Sequence, residues 1–124
     1  MGKGLAVFRF ERLQVWRKAI DLYDSTDRTV QEVPEEFRFS LTDQIRRAAL
    51  SVSSNIAEGS GRETAREARH FYTMAKASVF ELVSLITICQ RRHLISEDRF
   101  REMYTSAEEI SKMLTGLKRS SQDS

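Results

Sequence analysis

A chain of 124 residues, 40% apolar and 31% charged, suffices for one domain with a hydrophobic core and is too short for two comfortable ones. A single cysteine rules out an internal disulfide, and one proline with five glycines leaves little material for long loops. The net charge of +2 does not by itself establish a nucleic-acid partner, although arginine greatly outnumbers lysine and its planar fork binds phosphate bidentately.

Residues 1–10 (MGKGLAVFRF) carry Leu5, Val7, Phe8 and Phe10, which makes them too apolar for a simple disordered tail. They are expected to form a short arm, lying over the end of the domain or docking on a neighbouring subunit. They lack a continuous apolar run and are not expected to act as a secretory signal. A first helix is predicted over 11–33, with Leu13, Trp16, Ile20, Tyr23 and Val30 on its inward stripe and Asp27 interrupting it. Trp16 reads as a core anchor. Pro34 ends this helix, and the connection over 35–39 should fold Phe37 and Phe39 onto the core.

Residues 41–62 (LTDQIRRAALSVSSNIAEGSGR) organise the rest of the chain. Leu41, Ile45, Ala48, Val52 and Asn55 recur in steps of four and three, so they share one helical stripe. Ser40 or Thr42 should cap the start, and Gly59 stands where a helix end favours a left-handed residue. Asn55 lies on the apolar stripe. Its amide needs a partner in backbone or in Glu58, or else it specifies helix register.

After Gly61, Thr64 and Glu67 have capping-box spacing and open a third helix over 64–92. Phe71, Ala75, Ser78, Leu82, Leu85 and Cys89 form its stripe, yet Val79, Phe80, Val83, Ile86 and Ile88 fill the remaining angles. A helix apolar on nearly every side must be covered on nearly every side. Val79, Phe80, Val83 and Ile88 are therefore the candidate interface with another subunit. The most apolar segment, 79–89, holds Glu81 and is too short to span a bilayer, so no membrane partner is expected. Cys89 reads as a small buried hydrophobe, and a cytoplasmic location is expected.

Ser96, followed by Glu97 and Asp98, caps a fourth helix with Phe100, Tyr104, Ala107, Ile110, Leu114 and Leu117 on one face. Residues 120–124 read as a frayed tail. The fold class is all-α: an up-down-up-down antiparallel four-helix bundle over 11–119, with a short N-terminal arm over 1–10.

Glu67-x-x-His70 is half of a di-iron bundle motif, but His93 has Gln90 three residues before it, so no metal and no cofactor are expected. Ser51, Ser53 and Ser54 read as spacers without an assignable base. The turn from Glu58 to Arg62 lacks the strand and lysine of a phosphate loop. No enzymatic activity is expected. Arg46 and Arg47 flank the stripe of the second helix, and Arg62, Arg66 and Arg69 form a ridge at the start of the third, with Arg38, Arg91 and Arg92 elsewhere. These arginines are candidates for phosphate contacts. The simpler reading is a salt-bridged surface, since Glu58, Glu63 and Glu67 lie nearby in sequence.

Gln44-Ile45-Arg46-Arg47-Ala48-Ala49, then Ser54-Asn55-Ile56-Ala57-Glu58-Gly59, then Gly61-Arg62, resembles the proteins encoded within intervening sequences of 23S ribosomal RNA genes. Leu13-Gln14-Val15-Trp16-Arg17-Lys18-Ala19 is similar to that family's opening motif, and Glu81-Leu82 to its third helix. Asn55, Glu58, Gly59 and Gly61 are the structural residues of the matching motif. Ser53 stands where the family commonly has proline, implying a straighter second helix, and Ala77 where it commonly has glycine. The resemblance implies a four-helix bundle that assembles into a ring, commonly a homopentamer. A more distant resemblance, to the accessory variability protein of diversity-generating retroelements, implies non-catalytic binding of RNA or DNA. The alternative is a ring-shaped scaffold for a protein partner.

Overall fold

A computed structural model describes residues 7–121. It contains four helices: α1 (Gln14–Val30), α2 (Asp43–Ser60), α3 (Ala65–Arg91) and α4 (Glu97–Ser121). A 3₁₀ turn, Arg9–Arg12, precedes α1, and no strand occurs among the described residues. The chain is all-α, and residues 1–6 and 122–124, most of the proposed arm and tail, lie outside the described part.

α1 turns Val15, Ala19, Leu22, Thr26, Thr29 and Val30 inward. That face is displaced from the expected stripe: Leu13, Trp16 and Tyr23 are only half-buried at its edge. Two threonines explain the displacement. The hydroxyl of Thr26 donates to the Leu22 carbonyl and that of Thr29 to the Ser25 carbonyl, each at 2.8 Å. A β-branched side chain whose polar atom is satisfied within its own helix packs as a hydrophobe. Trp16 sits beside the core, meeting Phe10 edge-on at 4.8 Å.

α1 stops before Pro34, as expected, but the connection to α2 does not simply uncoil. It passes through a 3₁₀ turn, Glu35–Phe37, and a π-helical turn, Arg38–Thr42, that runs directly into α2. Thr42 is therefore already helical and buried, and neither it nor Ser40 caps the helix. The widened turn also points Phe39 outward, 80% exposed, and only Phe37 packs against the core.

α2 buries Ile45, Ala48, Ala49, Val52 and Ile56, with Leu41 buried just before it, leaving Asn55 half-buried at the margin. The amide of Asn55 donates to the Ser51 carbonyl at 2.9 Å and to Ser51 Oγ at 3.0 Å, and not to Glu58. Ser51 Oγ in turn lies 2.8 Å from Ser78 Oγ on α3. This polar thread runs through a seam of small residues where α2 and α3 approach closely. Gly59 belongs to the same seam. No glycine among the described residues has positive φ, so Gly59 is not a left-handed cap. It is required by proximity, because a Cβ there would lie 2.6 Å from Tyr72 Cε1.

α2 packs most extensively on α3 and α3 on α4, while α1 closes the circuit against both α2 and α4. Paired positions give the directions. Lys18 meets Glu109 and Ser25 meets Glu102, so α1 and α4 are antiparallel. Arg69 meets Ser121 and Lys76 meets Thr115, so α3 and α4 are too. Ser51–Ser78 and Gly59–Tyr72 show the same for α2 and α3.

α3 buries Tyr72, Ala75, Ser78, Val79, Leu82, Leu85, Ile86 and Cys89. At 27 residues, with an 18-residue window of mean hydropathy 1.4, it is long and apolar enough to cross a membrane by length and composition. The shorter 79–89 segment understated this. Here its apolar face packs on α2 and α4, with Lys76 bonded to Thr115 midway. Thr64 caps its start by accepting from the Glu67 N–H, as expected from the sequence. His93 closes its end at φ 59°, the Leu94 N–H reaching the Cys89 carbonyl at 2.8 Å and the His93 N–H the Gln90 carbonyl at 3.1 Å. Ser96 caps α4 through the Arg99 N–H.

Candidate nucleic-acid interface

The antiparallel arrangement brings four chain segments to one end of the bundle. They are the 3₁₀ turn before α1, the α2–α3 turn, the first turns of α3 and the last turn of α4. Arg62 projects from the α2–α3 turn. Its guanidinium donates to the Glu58 carboxylate at 2.7 Å and lies 4.4 Å from the centre of the Phe71 ring. Arg66 is exposed one turn further on, with no acidic partner among the described residues. Arg69 is drawn inward and donates to the Ser121 carbonyl at 3.1 Å. It thereby satisfies a carbonyl at the C-terminus of α4, where positive charge is favoured.

Arg62, Arg66 and Arg69 thus lie at the same end of the bundle, with Arg69 turned inward rather than on an open ridge. Arg46 and Arg47 are not part of the same surface. With a rise of about 1.5 Å per residue, Arg46 stands roughly 21 Å along α2 from Ser60, where the helix ends before Arg62. Its Nε donates to Asp27 on α1 at 3.2 Å, while Arg47 faces solvent on the outside of α2. The five arginines therefore divide into an end cluster and a lateral pair. One lateral member is tied to a carboxylate nineteen positions away in sequence. Glu58 and Gly61 shape the end cluster, the first by pairing with Arg62 and the second by closing α2.

Two residues at this end were not selected from the sequence: Phe8 and Arg9. Arg9 lies close enough to Tyr72 for its charge to act on the phenol, whose pKa is pushed up by burial and pulled back by Arg9. The signal for this turn was Glu11, three residues after Phe8, in a capping arrangement.

The candidate subunit interface also divides. Val79 is 1% exposed and belongs to the chain's own core, because at its angle α3 faces inward. Phe80 is 63% and Ile88 39% exposed, and Val83 is half-buried beside Phe80. Tyr104 of α4 joins this face, and a shallow groove of about 340 Å³ runs between Phe80, Val83, Tyr104 and Ala107. The outward positions of α1, by contrast, are Gln14, Arg17, Asp21, Asp24 and Arg28, all polar. Cys89 is buried, which pushes its thiol pKa up, and no three His, Cys, Asp or Glu side chains converge among the described residues.

Comparison with known families gives a match. The family model of the 23S rRNA-intervening sequence protein covers residues 11–116. The chain belongs to that family. No curated protein matches it. As a 23S rRNA-intervening sequence protein it keeps the family segment within the four helices, from just before α1 to Gly116 near the end of α4. Phe8 and Arg9 fall before the matched segment, whereas Arg62, Arg66, Arg69, Phe80 and Ile88 fall within it.

Proposed function

We propose that the protein is a non-catalytic, self-associating helical bundle that holds structured RNA or DNA through arginines at one end of the bundle. The observation carrying this reading is the gathering of Arg62, Arg66 and Arg69 where α2 gives way to α3. Glu58 offsets one of these charges without removing its use. A guanidinium has five donors, and a single carboxylate contact leaves others free for phosphate. Self-association rests on Phe80 and Ile88, two large apolar side chains of α3 left in water. A ring, for which the family resemblance implies five subunits, would repeat the basic end around a closed rim and multiply contacts that are weak singly.

Binding of the purified protein to labelled structured RNA and duplex DNA across a salt series, with oligomeric state checked in the same samples, tests this. A steep negative slope of log affinity against log salt is expected, reduced in the Arg62→Glu, Arg66→Glu double variant. Absence of binding at low salt overturns the reading. The exposed Phe80 and Ile88 favour a second one, a scaffold for a protein partner. Salt-insensitive association with a protein, without nucleic acid, would establish that instead.

A further inference from the structure

The segment before α1 presents an aromatic ring to solvent. Phe8 is 65% exposed. Its N–H donates to the Glu11 carboxylate at 2.9 Å, and its carbonyl accepts from the Glu11 N–H at 3.0 Å. Arg17 holds the Glu11 carbonyl at 2.9 Å. One face of the Phe8 ring stacks on Phe10, centroids 5.9 Å apart and planes inclined by 20°, and Phe10 rests against Trp16. A benzyl group left mostly in water gains little from burial, and its uncovered face is available to a ligand.

Beside Phe8 lies a cleft of about 850 Å³, walled by Arg9, Phe10, the end of α2 and Arg62. Clefts of about 300–1,000 Å³ accommodate small ligands. Of the charged residues lining it, Glu58 is paired with Arg62, and Arg9 is in no ion pair among the described residues. A ring with an open face, flanked by two guanidinium groups, has the chemistry that binds unpaired nucleotides. The ring takes the base by stacking and the cations take the phosphates.

We propose that the cleft between Phe8 and Arg62 is a stacking site for an unpaired nucleotide of single-stranded RNA or DNA. This rests on the nucleic-acid reading above and specifies which part of the nucleic acid is held. Base pairs in a duplex keep their faces covered, so the site selects single-stranded segments, loops or ends.

The test compares a labelled single-stranded homopyrimidine oligonucleotide with a duplex of the same length, using the full chain. The single strand should bind the parent more tightly and change the fluorescence of Trp16, the only tryptophan, through the Phe8–Phe10 stack. Phe8→Ala should weaken single-strand binding roughly tenfold with an unchanged salt slope, since stacking contributes about 1–3 kcal/mol per base. Phe8→Trp should preserve it. If Phe8→Ala binds as the parent does while Arg62→Glu, Arg66→Glu loses binding, the stacking site is overturned and the phosphate-binding reading survives. If the parent binds no nucleic acid at low salt, both fall. If Phe8→Ala changes the oligomeric state instead, Phe8 is a subunit contact and the proposal is overturned.

Discussion

Gly59 and Tyr72 meet with no room for a side chain between them. A Cβ on Gly59 would lie 2.6 Å from Tyr72 Cε1 and 3.1 Å from the Ala68 carbonyl oxygen, the first a buried ring and the second backbone. In an unconstrained helix interior, Gly→Ala stabilises by about 1 kcal/mol. Here the sign should reverse, with Gly59→Ala destabilising by roughly 1–3 kcal/mol through overpacking. Urea denaturation checks this, and the penalty should shrink in a Tyr72→Ala background, where the ring that obstructs the methyl is absent.

The divided apolar residues of α3 give opposite expectations. Phe80→Glu or Ile88→Glu should lower the mass measured by light scattering while helicity by circular dichroism is kept. Val79→Glu should instead unfold the chain, because it places a carboxylate in the core. A Phe80→Glu, Ile88→Glu protein that remains oligomeric would move the interface away from this face.

Glu32, in the turn just after α1, accepts a hydrogen bond from the Ser96 N–H at 2.7 Å and another from Arg99 Nε at 3.2 Å. These bonds, chiefly the one from the Ser96 backbone and then that from Arg99, hold its pKa below the usual carboxylate range despite some burial. A carboxylate lowered on folding stabilises fully above the unfolded-state pKa. That contribution fades as pH falls through the folded-state value. Glu32→Gln should therefore melt below the parent at neutral pH by a margin of about 1 kcal/mol, modest because the pair is partly solvated. The two melting curves should converge in acid.

His93 occupies the left-handed conformation that terminates α3. A side chain there costs roughly 1 kcal/mol relative to glycine. His93→Gly should raise the denaturation midpoint accordingly, whereas His93→Val, β-branched and poorly suited to positive φ, should lower it. A stabilising effect of valine would show that the Leu94–Cys89 hydrogen bond tolerates another loop geometry.

The helix count and most boundaries were legible because they depend on neighbours in sequence. Thr64 and Ser96 cap the helices they precede, and Pro34 bars α1 from continuing. The surplus of apolar residues on α3 was equally visible. The inward face of α1 was not, since hydropathy treats Thr26 and Thr29 as polar while their hydroxyls are satisfied at i−4. Gly59 was misread because close approach to Tyr72 is a property of the helix crossing, which local pattern does not contain. The π-helical turn hid the start of α2 and exposed Phe39 for a similar reason: one residue of extra winding leaves the composition unchanged. The separation of Arg46 from Arg62 follows from helix length. The pairing of Arg46 with Asp27 depends on which helices become neighbours.

The polar outer side of α1 has a practical meaning. α1 stands diagonally across the bundle from α3, so an assembly joined through Phe80 and Ile88 would leave α1 as its rind. Oppositely charged Arg17, Asp21, Asp24 and Arg28 give that rind no net sign, so it stays wettable without a field that draws in nucleic acid. A fluorophore or affinity handle placed at Asp21 or Asp24 would point away from both the joining face and the arginine end, making α1 the side from which the particle can be held and watched.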